Sequence, residues 1–257
     1  MESVNDNAKA MDLACLAGQI LMENGAELQR VDETMNRIVD HYGITDKQFY
    51  ILSNGIFSTS GGSYAQIKPI PVLGSQFDKV EAVSQLSRDI ISGKYSIDEA
   101  MQRLQEIRHM KRLAKWKVIL AAGVGAGAFS VLFGGNAKDA VVALVAGLML
   151  YTFVSYVGSS HLSKIFNNII ASFIAAGTCV LGLHFGLGEH LGQMIIGAVM
   201  PLIPGVSFVN GIRDLTNGDY LSGFIRMMDA VIIFVCIALG VSIALVLCNN
   251  WLEGVVL

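Results

Sequence analysis

The strongest constraint on this chain is the point where its charges stop. Of 18 lysines and arginines in 257 residues, only Lys138, Lys164, Arg213 and Arg226 lie beyond Lys117. So few charges over so long a stretch cannot furnish a water-exposed surface. The chain beyond Lys117 therefore reads as membrane, and the chain before it as an ordinary soluble segment. A mean hydropathy of +0.54 with 15% charged residues agrees. The expected fold class is an α-helical polytopic membrane protein with an N-terminal cytoplasmic α+β domain. The soluble domain covers residues 1–115 and the transmembrane domain residues 116–257.

Five apolar runs, about 117–135, 138–157, 165–187, 191–212 and 220–248, are each long enough to cross about 30 Å of hydrocarbon. Trp116 is an interfacial anchor, and Gly123, Gly125 and Gly127 offer a small-residue face for helix packing. Arg108, Lys111, Arg112, Lys115 and Lys117 form a basic collar before the first run, and Lys164 and Arg213 fall in alternate loops. The excess of positive charge on the cytoplasmic side then puts the N-terminal domain in the cytoplasm and the C-terminus outside.

The fourth run carries Pro201 and Pro204, followed by Gly205. Proline lacks an N–H and clashes with the preceding turn, so a break is expected there, buried in protein or lining a wet cavity. Transporters use interrupted helices of this kind to hold solutes. Pro204 suits the start of a new half-helix, with the N–H groups of Gly205, Val206 and Ser207 facing the break. Such a terminus attracts a carboxylate. Asn210 would assist one turn below, and Arg213 would draw an anion to the cytoplasmic mouth. Arg226 and Asp229, three apart in the last run, can pair on one helix face. With Asp214 they form a candidate coupling or gating set, because charges inside a membrane are costly and mark ion or solute paths. The competing readings are a kink kept only for packing, and an interfacial pair with Arg226 snorkelling.

In the soluble part, residues 8–42 read as one long helix ended by Gly43, with Glu27/Arg30 and Glu33/Arg37 as solvated ion pairs. Strands are expected at 47–52, 56–60 and 63–70, and helices at 77–92 and from Ser96, where Ser96 and Glu99 fit a capping box. The last helix shows no break before the membrane. Cys15, His41 and His109 form no recognisable nucleophile pair, and no glycine-rich phosphate loop occurs. Cys15, Cys179, Cys236 and Cys248 lack metal-ligand spacing and read as reduced. No enzyme activity, metal, cofactor or nucleic acid is expected. The alternative is a membrane-anchored receptor or enzyme acting through the soluble domain.

The ordered set GAELQRVDETMNRI (25–38), SNGIF (53–57) and PLIPGVSFVNGIRDLTNGDYLSGFIRMMDA (201–230) resembles the threonine/serine exporter family, which also includes two-subunit succinate exporters. The resemblance runs from about Met11 to about Ala238. It implies a bacterial inner-membrane exporter of small carboxylate-bearing metabolites, serine/threonine or a dicarboxylate such as succinate. The family's single-chain form carries a second membrane half after the fifth span. This sequence ends at Leu257, so the resemblance implies a split exporter with a smaller membrane subunit as partner, possible homo-oligomerisation, and lipid around it.

Overall fold

The computed structural model describes residues 2–62, 64–71, 74–158 and 163–251. Ser63 of the third expected strand, residues 159–162 of one expected loop and the tail beyond Trp251 lie outside the described residues. Among those described, the chain forms two compact units. One comprises Met1–Arg112 and Val206–Met227; the other comprises Leu113–Gly205 and the chain from Met228 onward.

The first unit begins with α1 (Glu2–Glu23) and α2 (Leu28–His41). The single helix expected over 8–42 is therefore two. Gly25 sits at φ 86°, and the N–H of Ala26 turns back to the carbonyl of Leu21 at 3.0 Å. That left-handed geometry favours glycine and ends α1. Apolar spacing continues on both sides of the turn, which is why periodicity alone reads straight through it. Three strands come next, β1 (Lys47–Leu52), β2 (Gly55–Ser60) and β3 (Tyr64–Pro69), in an antiparallel meander with Tyr50 opposite Phe57 and Phe57 opposite Ile67. Phe49, Ile51, Ile56 and Tyr64, on the other face, join the core. Then come α3 (Phe77–Ile91) and α4 (Ile97–Arg108), the latter opened by the expected Ser96/Glu99 capping box. Helix α4 does not run on towards the membrane. It ends at Arg108, and residues 110–114 are not helical.

Helix α1 is the centre of this unit, packed by α2, α3, α4 and β2. Met11, Leu13, Ile20 and Leu21 on α1 are fully buried with Met35 and Ile38 on α2, Ile56 on β2, Ile90 on α3 and Leu104 on α4. Burial of each such side chain contributes about 1.5–3 kcal/mol.

The second unit contains α5 (Lys115–Leu132), α6 (Ala137–Phe153, continuing as a wider π turn over Val154–Gly158), α7 (Lys164–His184) and α8 (Leu191–Val199). Helices α5 and α6 approach closely because a side chain on Gly127 would sit 2.9 Å from the carbonyl oxygen of Ala140, and one on Gly123 would strike Leu148. Gly125 faces open space, so the packing face is Gly123 and Gly127 alone, one turn apart. Gly197 of α8 packs against α5, where a Cβ would lie 2.6 Å from the Ala126 carbonyl oxygen. The chain continues as α9 (Gly205–Thr216) and α10 (Tyr220–Trp251). Among the described residues four helices, α5, α6 with its π turn, α7 and α10, are long and apolar enough to cross a membrane. The interrupted pair α8 and α9 makes a fifth if it counts as one span.

Candidate functional site

The first unit gathers the polar residues of two distant sequence motifs. The turn from Gly25 to Leu28 leaves the Gly25 and Ala26 carbonyls and the Leu28 N–H without partners in their own helices, as helix junctions do. The Gly25 carbonyl accepts from Asn210 Nδ2 at 3.0 Å, and the Ala26 carbonyl accepts from an Arg226 guanidinium nitrogen at 3.4 Å. The Glu27 carboxylate takes Arg213, and the Leu28 N–H donates to Asp214. Asp214 in turn faces Arg226 at 3.4 Å, the two side chains being 2% and 15% exposed. Asp214 Oδ2 makes no hydrogen bond and has only that longer ionic contact. Asn217 Nδ2 donates to Gln29 Oε1 at 3.1 Å, and the Ser222 hydroxyl accepts from the Ser53 N–H at 3.0 Å. Beneath this network α9 and the start of α10 cross at glycine. A Cβ on Gly223 would lie 2.8 Å from the Gly211 carbonyl oxygen, so no side chain fits there.

Beside the network a cleft of about 460 Å³ is lined by Gln29, Asp32, Tyr50, Asn217 and Asp219. Partial burial, and to a lesser degree Asp219, holds the Asp32 carboxyl above the usual carboxylate range, against the opposing hydrogen bond from Asn36. Farther into the same unit the Cys15 thiol donates to the Ser58 hydroxyl at 3.2 Å, and the Tyr64 hydroxyl donates to Asp12 at 2.9 Å. Burial pushes both the Cys15 thiol and the Tyr64 hydroxyl upward in pKa.

The second unit holds the start of the expected break. Helix α8 stops at Val199, a 3₁₀ turn covers Met200–Leu202, and helix resumes only at Gly205. Two prolines within four residues account for this. The N–H of Gly205 is not free as expected, because it donates to the Ile203 carbonyl at 2.8 Å. Gly205 is exposed and a Cβ there would meet open space. Asp229 pairs with Lys164 at 2.6 Å, not with Arg226, which turns to Asp214. The expected Arg226–Asp229 pair is thus replaced by two separate ion pairs, because partners brought close by the fold displace the local three-residue spacing.

A second constellation in this unit went unread in the sequence. Asn136 and Asp139 form a capping box at the start of α6. The fully buried Asp139 carboxylate also accepts from the N–H groups of Glu189 and His190, at 2.7 and 3.0 Å, and contacts His190 Nδ1 at 2.8 Å. One carboxylate therefore closes the starts of both α6 and α8. The only local signal is an asparagine three residues before an aspartate, ahead of an apolar run. Among the described residues no group of three or more His, Cys, Asp or Glu could hold a metal ion. The cysteines are free, with Cys15, Cys179 and Cys236 buried.

A family model described as "Putative threonine/serine exporter" matches residues 12–248. That span contains the 25–29 turn, the break and every residue of the network just described. The chain belongs to the threonine/serine exporter family. Relatives include the threonine/serine exporter of Corynebacterium glutamicum, 24% identical over 93% of this chain and 51% of its own length. The probable threonine/serine exporter of Mycobacterium tuberculosis is 19% identical over 92% of this chain and 46% of its own. Pheromone-regulated membrane protein 10 of Debaryomyces hansenii is 22% identical over 91% of this chain and 24% of its own. The chain thus spans at most about half the length of these relatives. No solved structure matches.

Membership in the threonine/serine exporter family makes this a membrane protein of a transporter family, not an enzyme. Within it, the structure gathers Asn210, Arg213, Asp214 and Arg226 in one network, with Asp229 paired elsewhere in the second unit. Pro204, Gly205, Val206 and Ser207 lie at the break, before and at the start of α9. The residues missed are Gly25, Ala26 and Leu28, whose backbone carries half of the network, and Asp139 and His190. A solvated ion pair between Glu27 and Arg30 was expected, but Glu27 goes to Arg213.

Proposed function

We propose that this chain is the gate-bearing part of a secondary exporter of small carboxylate-bearing metabolites, with serine/threonine or a dicarboxylate such as succinate as substrate. The supporting observation is that α9, the second half of the broken helix, is fastened to the soluble domain within one compact unit through Gly25, Ala26, Glu27 and Leu28. A helix fastened in this way follows the domain when the domain moves. In this reading the solute carboxylate docks at the start of α9, at Pro204, Gly205, Val206 and Ser207, where the helix dipole and the first-turn N–H groups of Val206 and Ser207 favour an anion, the Gly205 N–H being held by the Ile203 carbonyl. Asn210 and Arg213, held by the turn in the locked state, reach the solute when the turn lets go. Asp214, Arg226 and Asp229 carry the coupling, with Asp214 as the buried acid whose partner changes. The soluble domain faces the cytoplasm of a bacterial inner membrane and the C-terminus lies outside. In the same reading a smaller membrane subunit completes the path. Homo-oligomers of that assembly are part of the same proposal.

The test is flux in proteoliposomes loaded with serine, threonine or succinate, with the chain alone and with the smaller subunit. Gly205→Val should stop flux without loss of the folded protein, because the fold leaves room for a side chain there. Unchanged flux in that variant would remove the carboxylate site from the break.

A further inference from the structure

On the outer side of the second unit, α6 and α7 leave a groove of about 500 Å³ between them. Its walls are Val141 and Val145 from α6 and Leu181 and Gly182 from α7, closed at one end by Phe185 and Leu187. Gly182 sets its depth, since a Cβ there would meet Val142 at 2.5 Å. The polar side chain in the wall, Thr178, bonds its own helix at Ile174 O, 2.8 Å away, so the groove offers a guest little but hydrocarbon. Both helices are candidate spans, so this surface lies at the depth of the acyl chains.

The rim is not apolar. Lys138 lines the mouth of the groove, at the first turn of α6, and Glu189 lies 2.8 Å from its ammonium. The other Glu189 oxygen accepts from Asn136 Nδ2 at 2.7 Å, but the Lys138 and Glu189 side chains are 61% and 51% exposed, so each charge keeps a water-facing side that a ligand can reach. The rim is locally neutral but split, positive at Lys138 and negative at Glu189. That pattern fits a headgroup carrying both a phosphate and an ammonium better than one carrying net negative charge. We infer that the α6–α7 groove is a retention site for one zwitterionic phospholipid, an acyl chain along Val141, Val145 and Leu181, its phosphate on Lys138 and its ammonium on Glu189. The inference is independent of the transported solute.

The full chain, purified in mild detergent and measured by native mass spectrometry, should keep one phosphatidylethanolamine in preference to phosphatidylglycerol. Val145→Trp, which fills the groove, should lower the retained fraction at least tenfold. Lys138→Glu should abolish the headgroup preference, and Lys138→Glu with Glu189→Lys should restore it, because the swap keeps one charge of each sign. Lys138 and Glu189 are exposed, so those variants keep the test decisive if Val145→Trp does not fold. Loss of lipid from the folded wild-type chain, equal retention of the two lipids, or full retention by Val145→Trp would overturn the inference. So would a disulfide between two copies carrying Val145→Cys, which would put a second chain in the groove.

Discussion

Arg226 and Asp214 face each other at 3.4 Å with almost no access to water. Removing one member of a buried pair strands the other charge, at a cost of about 3–5 kcal/mol. Asp214→Asn and Arg226→Gln should each lower the thermal midpoint of the purified chain strongly. The double variant should lose clearly less than the two single losses added. Strict additivity would show that the two charges do not depend on each other.

Glu27 and Arg213 differ from that pair in exposure, at 23% and 60% of their side chains. An exposed pair contributes only about 0–1 kcal/mol. Glu27→Gln should therefore leave the midpoint nearly unchanged while altering transport rate, if release of this turn is the gating step. Cysteines at both positions, joined by a short thiol cross-linker, should arrest flux reversibly. Undiminished flux in the cross-linked protein would rule the turn out as a gate.

Gly25 has two reasons to be glycine: φ 86°, and the Ser75 hydroxyl 2.7 Å from where a Cβ would stand. Left-handed backbone alone costs an ordinary residue about 1–2 kcal/mol. Gly25→Val should lose at least that much in denaturant titration. Gly125→Ala, facing open space on α5, should stay within about 0.5 kcal/mol of the parent.

Asp139 satisfies N–H groups at Asn136, Glu189 and His190 together. Each buried donor left without an acceptor costs about 1–3 kcal/mol. Asp139→Ala should thus be among the most destabilising single changes in the second unit. Amide exchange at Glu189 and His190 should quicken in Asp139→Asn. Unchanged exchange would show that the carboxylate does not cap α8.

Cys15 and Tyr64 both have acid groups raised by burial in the folded state. The unfolded chain then ionises first, so stability is constant at lower pH and falls once pH passes the unfolded values. Those lie at about 8.5 for cysteine and about 10 for tyrosine. The thermal midpoint should decline from roughly pH 8.5 upward by this linkage. Cys15→Ala should flatten the lower part of the decline, and Tyr64→Phe the upper part.

Local signals in the sequence suffice where the structure is local. The β-meander, the Ser96/Glu99 capping box, the end of α2 at Gly43 and the break near Pro201 and Pro204 each rest on residues a few positions apart. The failures share one cause. Leu21 and Leu28 keep helical spacing across Gly25, and only the left-handed backbone reveals a turn. Arg226 and Asp229 keep the right spacing for a pair, but Asp214 and Lys164 are brought nearer by the fold. The functions of Gly25 and Ala26 lie in carbonyl groups, which every residue has, so no side chain announces them. The helix break between Val199 and Gly205 is legible for a different reason, since proline alters backbone chemistry wherever it occurs.

The network around the 25–29 turn also sets a timetable for biosynthesis. Glu27 and Arg213 are 186 positions apart. At a synthesis rate of about 5–20 residues per second, roughly 10–40 s pass between the two leaving the ribosome's catalytic centre. During that interval the turn has carbonyls and a carboxylate but not their partners from α9 and α10, while α5 to α8 are being made. A nascent chain stalled before residue 206 should therefore show the turn cut readily by protease, and one released after residue 227 should not.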